Sequence, residues 1–593
     1  MTIKDELSPG EVPPEEIQEA NALVSATFSE MFKSTIGPLG SKKLIVSEAT
    51  EAGIANLVTS NAYSIVRELG YRHPTADILI NAGLTQGERV GDGVATVMAL
   101  TGELVWRGYE LKNQGLHQNL VVNGYVKALE RAKEVLIGIA ITMPVEIREG
   151  EKYLRHVAET ALNNAEYSDV HRLVDAVVKS VRRISGSREL PVEVEIDVDE
   201  IVIEAKSGGG VNDTVFFEGV IVDRDILGDL PKEIENAKIA LLDFPIEYRE
   251  PRIKGRKELQ TGTAARERSK AGETAGALDF HVTIRKPSHL KEFRDARAMI
   301  FDELIAGIID SGANVVCCRW GVDDAALDKF RRAGRGIMLL KRVKMTDLTR
   351  LEKSTAGKIV QTVSDLTEDK LGSAGRAVER EIGGVNYVFF EDCPYKRTAT
   401  IIVRGAHIRI LEGIVGDIKS ALHSVARLFN DPRIVPGGGA AEAECAKELR
   451  NFARTIPDKE QLAVNAFADS LEAIPVAIAK NSGIDQIDTL TTLRAEHYAG
   501  NKYAGISGID KLVKRDMVEE GIIDPLAVRL PALITAATAA IGMIRIDDLH
   551  IAKSEVAEES ENIEAKIAGR TRELIEAERS PKEFKFKGGR LKY

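Results

Sequence analysis

The sequence predicts an α/β multidomain protein in which two helical segments flank a central α/β module. At 593 residues, the chain is several times longer than the ~150 residues of a typical domain. Apolar residues recur at helical spacing from about residue 14 to 141, give way to β-branched runs, and return to helical spacing between about 405 and 552. Three domains in series, or one helical domain interrupted by an inserted α/β domain, both fit this order.

The first helical segment is predicted from "EIQEANALVSATFSEMFKS", where one stripe recurs at helix spacing until "GPLG" ends it. The stripe consists of Ile17, Asn21, Val24, Phe28, Met31 and Phe32. A second helical block carries "GVATVMALTGELVWRGYELKNQG". These blocks predict a helical core rich in Ala, Leu and Val.

The central module is predicted from short β-branched runs bounded by Gly, Asp and Pro. The runs are "VEVEIDVDEIVIEA", "FFEGVIVD", "AKIALLDF", "ANVVCCRW", "GIMLLKRV", "VNYVFF" and "TATIIVRG". Helical patterns such as "SHLKEFRDARAMIFDELIAGIIDSG" alternate with the later runs. This alternation is typical of an α/β domain.

Composition argues against several classes of protein. A net charge of −11 is modest for this length and argues against a general nucleic-acid binder. No apolar run approaches ~18 residues, and the N-terminus has no basic stretch before an apolar one, so we expect a cytoplasmic protein without a membrane partner. The four cysteines form no CxxC pair, which predicts reduced thiols rather than a metal cluster.

Two charged segments stand apart from the rest. Residues 251–276 hold seven basic and three acidic residues and almost no large apolar residue, which predicts a surface loop; contact with RNA or an acidic client is the alternative. The last forty or so residues predict a charged helix and a basic tail, either as a solvated extension or as a binding arm.

Three glycine-rich turns, each ahead of a helical run, are candidate phosphate-binding loops. They are "STIGPLG", "VGDGVAT" and "VPGGGAAEAE". Glycine permits close approach of the backbone to a ligand, and a helix N-terminus offers free N–H groups to an anion. Asp92 within the second turn suits Mg²⁺, which takes few carboxylates together with phosphate oxygens. "TIGPLGSKK" lacks the glycine spacing of a Walker A loop, so a P-loop NTPase is disfavoured.

In this order, the three turns resemble the TLGPKG, GDGTTT and VxxGGGA motifs of the group II chaperonins, the family of the archaeal thermosome and the eukaryotic cytosolic chaperonin. The likeness continues through "NAKIALLDFPIE", "VNAFADSLEAIP" and "EEGIIDPLAVR", and covers about residues 18 to 553. The resemblance implies a chaperonin fold with a mainly helical equatorial domain, a small intermediate hinge domain and an α/β apical domain with a lid protrusion.

The resemblance also implies boundaries for these domains. The equatorial domain would comprise 1–147 and 438–593, the intermediate domain 148–217 and 402–437, and the apical domain 218–401. The basic loop 251–276 falls at the lid protrusion and is about twenty residues longer than the family leads us to expect. The implied partners are copies of the chain or paralogous subunits in a double ring, together with non-native client proteins.

By the same resemblance, the chain would bind ATP or ADP with Mg²⁺. Gly37 and Pro38 would line the phosphates, Asp92 would bind the metal, and Gly438 and Asp524 would contact the ribose and base. The full set of candidate nucleotide-binding residues is Thr35, Ile36, Gly37, Pro38, Asp92, Gly93, Val94, Ala95, Thr96, Gly438 and Asp524.

The residues expected to drive hydrolysis depart from the family pattern. The family's TNDGATI is "TSNAYSI" here, which places Asn61 where an aspartate arranges the attacking water. The intermediate-domain aspartate corresponds to Ser420; Asp417 lies almost a turn earlier, so that it would substitute only if the helix were displaced. A lysine that the family often carries near the γ-phosphate aligns with Ala165. Asn positions a water but cannot serve as a base.

Two of the three threonines that follow the family's GDG are also replaced, by Val94 and Ala95. We therefore expect a chaperonin-like ring subunit that holds nucleotide and clients but hydrolyses ATP weakly or not at all. One alternative is a fully active folding chaperonin that uses displaced residues such as Asp417. The other is a scaffold that kept the fold without rings or nucleotide.

Overall fold

The computed structural model describes residues 14–46, 56–71, 73–144, 146–162, 170–186, 190–192, 196–210, 213–247, 287–382, 384–395, 398–405 and 408–546. Within these ranges the apolar residues form three large hydrophobic cores. The basic loop 251–276 with its predicted lid protrusion, Ala165 and the C-terminal extension lie outside the described residues. The predictions made for them remain predictions.

The first core is helical and draws on both halves of the chain. From the first half come α1 (Pro14–Lys33), α2 (Ala62–Glu68), α3 (Pro74–Arg89), α4 (Val94–Asn113) and α5 (Gln118–Gly138). Helix α4 packs against α1 and is buried along most of its length, because small and apolar residues occupy nearly every position of its first two turns. Of the predicted stripe on α1, Asn21, Phe28 and Phe32 are buried, whereas Val24 and Met31 are half-buried.

The second core surrounds a seven-stranded mixed sheet in the middle of the chain. Its strands are β6 (Gly219–Val222), β7 (Glu233–Leu242), β8 (Val315–Cys318), β9 (Met338–Leu340), β10 (Ile359–Val360), β11 (Gly372–Ile382) and β12 (Val385–Glu391). The order is β6-β12-β11-β7-β8-β9, and β10 pairs with β7. Helices α8 (Pro287–Asp310), α9 (Asp324–Arg332) and α10 (Met345–Thr355) complete the module. Five of the seven predicted β-branched runs form strands of this sheet, namely β6, β7, β8, β9 and β12, whereas the first and last runs contribute strands to a separate sheet of the third core.

The third core is built where the chain leaves and re-enters the first. It contains α6 (Ile147–Leu162), α7 (Val170–Ser185) and α11 (Ile408–Asn430), together with a sheet of β4 (Ile201–Ser207), β5 (Val215–Phe217) and β13 (Ala399–Gly405). Strand β13 lies between the other two and is parallel to β4. Helix α11 buries Leu411, Ile418, Leu422 and Val425 on this core, which leaves a second face of the helix for the first core.

The second half of the chain returns to the first core through five helices. They are α12 (Ala440–Ala453), α13 (Glu460–Leu471), α14 (Ala473–Ser482), α15 (Gln486–Tyr498) and α16 (Leu526–Ile544). Three small sheets complete the described chain: β1 (Lys43–Val46) with β2 (Asn56–Thr59); β3 (Ile141–Thr142), β14 (Arg433–Pro436) and β17 (Ile523–Pro525); and β15 (Gly505–Ser507) with β16 (Leu512–Lys514).

Among the described residues, two helical stretches, Glu460–Ser482 and Leu526–Ile544, are long and apolar enough to cross a membrane. Both contribute to the first core, and 78% of the most apolar part of the first stretch is buried within the protein. Core helices of soluble proteins meet the same criteria of length and composition, so this is weak support for a membrane span.

Candidate functional site

A cavity of about 260 Å³ lies where the three glycine-rich turns meet α11 and the β17–α16 junction. All of the candidate nucleotide-binding residues line it: Thr35, Ile36, Gly37, Pro38, Asp92, Gly93, Val94, Ala95, Thr96, Gly438 and Asp524. Asn61, Asp417 and Ser420 line the same cavity. Segments from both ends of the chain therefore build a single site.

The start of α4 forms one part of the cavity wall. Gly93 is the N-cap of this 20-residue helix, and its cap position carries no side chain that bonds to the first-turn N–H groups. Such a helix start offers unpaired N–H groups and partial positive charge to an anion. Of the first three helical residues, Val94 and Ala95 bring no hydroxyl, and only Thr96 does.

Part of the cavity wall is apolar, and sequence reasoning missed it. Ile474, Ile478, Ile506, Ile522 and Val528 line this part of the cavity. They come from α14, β15, the turn before β17, and α16. Aliphatic side chains of this kind pack against the flat face of a base, and pockets for small molecules are mostly apolar with a few polar groups.

Asp92 joins this site to α11. One carboxylate oxygen, Oδ1, accepts a hydrogen bond from the N–H of Gly93 at 2.7 Å, and Oδ2 accepts one from the hydroxyl of Ser424 at 2.6 Å. Burial raises the pKa of Asp92, and these two hydrogen bonds oppose that rise. Among the described residues no group of three or more His, Cys, Asp or Glu side chains gathers to hold a metal ion. A single half-buried carboxylate beside a candidate phosphate-binding loop fits Mg²⁺, whose other ligands would be phosphate oxygens and water.

The two positions that the family resemblance assigns to water activation are in direct contact at the cavity wall. The side-chain amide of Asn61 donates to Oγ of Ser420 at 3.1 Å and lies 3.5 Å from Oδ1 of Asp417. Its own oxygen accepts from the N–H of Ser64 at 3.0 Å and caps α2. An amide and a hydroxyl thus form a neutral hydrogen bond where the family resemblance places two carboxylates.

Helix α11 lies unusually close to the loop that carries Asn61. A Cβ atom added at Gly416 would lie 2.9 Å from Oγ of Ser64 and 3.3 Å from the amide carbon of Asn61. Because glycine stands there, Asp417 and Ser420 both reach the cavity without any displacement of the helix. The expectation that Asp417 would substitute at the position of Ser420 only if the helix were displaced stays a prediction, because Asp417 lines the cavity from a position almost one turn earlier on α11.

Arg529 was also missed. Its Nε and Nη2 donate to Oδ2 of Asp524 at 3.0 and 2.7 Å, and its Nη1 donates to Oγ1 of Thr96 at 2.9 Å and approaches Glu442 at 3.4 Å. The surrounding carboxylates hold the pKa of this buried guanidinium above its ordinary value, against the effect of burial. A sequence signal existed: Arg529 is the sole charged residue within the otherwise apolar α16.

The turn at Gly438 provides a direct test of the cavity's construction. Gly438 has φ +62°, and a Cβ atom there would lie 2.4 Å from Cε of Met517 and 2.7 Å from the carbonyl oxygen of Ile506. We expect Gly438→Ala to cost about 1–3 kcal/mol of stability and to weaken nucleotide binding at least tenfold. Thermal unfolding and calorimetric titration with ATP measure the two effects.

Gly542 is the matched control for this substitution. It lies within α16, and no atom would contact an added Cβ within 4 Å. Gly542→Ala should leave nucleotide binding unchanged and should slightly raise the melting temperature, because alanine favours a helix interior. Equal losses of binding in the two variants would contradict the assignment of Gly438 to the site.

Comparisons with known proteins agree with this geometry. A family model described as the TCP-1/cpn60 chaperonin family matches residues 28–275 and 272–554. A thermosome subunit of Methanopyrus kandleri is 35% identical over 538 residues, covering 90% of this chain and 92% of the relative. Thermosome subunit beta of Archaeoglobus fulgidus is 34% identical over 539 residues, with 90% and 92% covered.

Among solved structures, an open-state monomer of a group II chaperonin from Methanococcoides burtonii aligns with a TM-score of 0.54 and 31% identity. The alignment covers 77% of this chain and 100% of that one. The chain therefore belongs to the TCP-1/cpn60 chaperonin family, and its resemblance to the group II chaperonins and their thermosome members is confirmed.

Proposed function

We propose that this chain is a ring-forming group II chaperonin subunit that binds ATP or ADP with Mg²⁺ and turns nucleotide over slowly or not at all. The observation that carries the proposal is the hydrogen bond of 3.1 Å between Asn61 and Ser420. It places an amide and a hydroxyl where the family resemblance expects two carboxylates, in a cavity that all of the candidate nucleotide-binding residues line.

Nucleotide binding is supported by two contrasting kinds of surface that line the cavity. The start of α4 offers backbone N–H groups to phosphate oxygens, and Gly37 and Pro38 line the same cavity. The aliphatic wall that contains Ile478 and Ile506 offers a surface for the base. Asp524 lines the same cavity, and its carboxylate would accept hydrogen bonds from ribose hydroxyls.

Mg²⁺ would be held by Asp92, and it would neutralise charge on the phosphates. Asp92 alone of the acidic side chains that line the cavity lies in a glycine-rich loop at the start of a helix. Ser424 holds its Oδ2 from α11, so that the metal ligand and the helix carrying Ser420 are joined by one hydrogen bond. A nucleotide and metal in the cavity would thereby be sensed by α11.

Slow hydrolysis follows from the chemistry of the two facing side chains. Neither an amide nor a serine hydroxyl takes a proton from water near neutral pH. Loss of a general base typically costs a factor of ~10²–10⁴ in rate. The losses at Asn61 and Ser420 need not add, because the two side chains act on the same water.

We extend the proposal to assembly and clients by analogy with the relatives. Archaeoglobus fulgidus has relatives named thermosome subunits alpha and beta, so this chain would join copies of itself or paralogous subunits in a cytoplasmic double ring. The first, third and second cores would be the equatorial, intermediate and apical domains, with the boundaries stated above. Trp320 lies just before α9 in the second core and is 47% exposed. An exposed tryptophan there favours client contact on the apical domain.

A second candidate function is a fully active ATP-driven folding chaperonin. The observation that favours it is the position of Asp417, whose carboxylate lines the cavity within 3.5 Å of the Asn61 amide. In this candidate Asp417 would take the proton from the attacking water. The two candidates predict opposite results for the same pair of proteins.

Phosphate release from the unmodified chain and from Asp417→Asn tests the proposal. With calorimetry first showing that ATP binds, we expect both proteins to release phosphate at the same near-background rate. Rapid release from the unmodified chain that falls at least ~10²-fold in Asp417→Asn would establish the second candidate. Electron micrographs of the same preparation test assembly, and isolated monomers at micromolar concentration would contradict the ring.

A further inference from the structure

We propose that Arg529 is a positioning residue that sets the direction of hydrogen bonding at both ends of the nucleotide, making Thr96 a donor to phosphate and leaving Asp524 an acceptor for ribose. The inference rests on the proposed binding of nucleotide. It assigns a role to a side chain that the glycine-rich turns do not contain.

Arg529 is held in one orientation by three partners. Asp524 takes two of its N–H groups through a single oxygen, Oδ2, at 2.7 and 3.0 Å. Nη1 donates to Thr96 at 2.9 Å and pairs with Glu442 at 3.4 Å. Since the planar guanidinium presents its donors in a fixed fork, it spans Thr96 and Asp524 together only in this position.

Arginine determines the role of Thr96 because it has no acceptor. A hydroxyl that meets a guanidinium N–H must accept with its oxygen, so its own proton points elsewhere. A common alternative for that proton in a helix is the carbonyl four residues earlier, here Asp92, whose oxygen already accepts from Nε2 of Gln86 at 2.8 Å. Thr96 lines the cavity in the first turn of α4, where a phosphate oxygen would receive its proton.

The same arginine gives the two carboxylate oxygens of Asp524 different roles. Oδ2 is occupied twice by Arg529. Within the part of the chain that the structure describes, Oδ1 of Asp524 takes part in no hydrogen bond, and Asp524 lines the cavity. The pairing therefore fixes the rotation of the carboxylate and leaves one oxygen to accept a ribose hydroxyl.

Placing the charged Arg529 within α16 costs free energy of hydration, and a role in packing alone does not explain why the chain bears that cost. A cation within an otherwise apolar helix loses hydration, and its pairing offsets that loss only where partners satisfy it. Here the partners are two residues of the nucleotide cavity and Glu442 from α12. The arrangement is thus directed at the site.

The test compares the affinities for ATP and 2′,3′-dideoxy-ATP, measured by calorimetry on the full chain with Mg²⁺. We expect the unmodified protein to prefer ATP by about tenfold, the effect of one hydrogen bond to a charged acceptor. Arg529→Met should reduce this preference to less than about twofold, and Arg529→Lys should keep an intermediate value of about threefold, because one ammonium group cannot replace the fork.

Thr96→Val is the matched control. It removes the hydroxyl that would meet phosphate, so it should weaken binding of both nucleotides by a similar factor and leave the preference for ATP unchanged. Thermal unfolding of each variant checks that it folds. If Arg529→Met does not fold, the nucleotide preference of Arg529→Lys alone decides the test.

Three outcomes would overturn the inference. They are tight binding of ATP without preference over the dideoxy analogue, an unchanged preference in both Arg529 variants, and an equal loss of preference in Thr96→Val. The first of these leaves nucleotide binding itself intact. Absence of binding by both nucleotides overturns the proposed function and this inference together.

Discussion

Replacing both Asn61 and Ser420 by aspartate is expected to raise the rate of phosphate release at least ~10²-fold. The two side chains are 3.1 Å apart and line the cavity, so that carboxylates placed there face the same water. The rest of the site, including Asp92 and the start of α4, is unchanged by the substitution. Release of phosphate from ATP by the purified double variant measures the effect.

Three further proteins identify which carboxylate acts. The single variants Asn61→Asp and Ser420→Asp should each release phosphate more slowly than the double variant. Adding Asp417→Asn to the double variant should leave its rate unchanged. If that third substitution abolishes the gain, the working carboxylate is Asp417, and our account of residues 61 and 420 is wrong.

The double variant should also loosen α11 from the first core when no nucleotide is present. Two carboxylates at this separation repel each other, whereas Asn61 and Ser420 share a hydrogen bond. Hydrogen exchange along residues 408–430 without nucleotide should therefore be faster in the double variant than in the unmodified chain.

The largest loss of stability is expected for Glu472→Ala. The carboxylate of Glu472 is 4% exposed and joins three helices. Arg450 donates to its two oxygens at 2.7 and 2.6 Å, and Arg494 donates to Oε1 at 2.8 Å. Removing the shared carboxylate leaves Arg450 with Asp469 as its remaining partner and leaves Arg494, which is 43% exposed, without Glu472. We therefore expect the free energy of unfolding to fall by about 2–3 kcal/mol.

Chemical denaturation of the first core measures this loss. The matched control is Glu134→Ala, which breaks a pair between Glu134 and Arg131 in which the glutamate is 67% exposed. Exposed pairs contribute little, so the control should be close to the unmodified protein. A loss for Glu472→Ala no larger than that of the control would contradict the structural role of this ion-pair cluster.

The same carboxylate gives a defined dependence on pH. Burial raises the pKa of Glu472, but hydrogen bonds from Arg494 and Arg450 outweigh burial and hold that pKa below its ordinary value of 4.5. Its contribution to stability is therefore present above pH 4.5 and is lost as the pH falls through the lowered pKa of the folded protein. Glu472→Gln should show a flatter loss of stability between about pH 5 and 3.

Much of the fold could be predicted because helices and strands depend on the spacing of apolar residues over short stretches of sequence. The stripe on α1 and the β-branched runs of the central module have the periods of a helix and of strands, and both are found as expected. Except for Asp524, which came from the family resemblance, the candidate binding residues lie in glycine-rich turns, whose sequence signal is also local. The cavity brings all of them together.

The contacts that give the site its particular character were not predictable in this way. Ser424 and Asp92 are 332 positions apart, and Arg529 and Thr96 are 433 positions apart. A single serine, threonine or arginine belongs to no sequence pattern that would identify a partner hundreds of positions away along the chain. The reach of Asp417 depended on the close packing at Gly416, which spacing along one helix does not reveal.

The central claim is that the chain holds ATP better than it cleaves it. The most direct measurement is a single-turnover experiment in which the protein, in excess with Mg²⁺, binds a trace of ATP labelled at the γ-phosphate, and the bound nucleotide is recovered after an hour. We expect nearly all of the label to be recovered as ATP. Recovery of the label as free phosphate within minutes would contradict the claim.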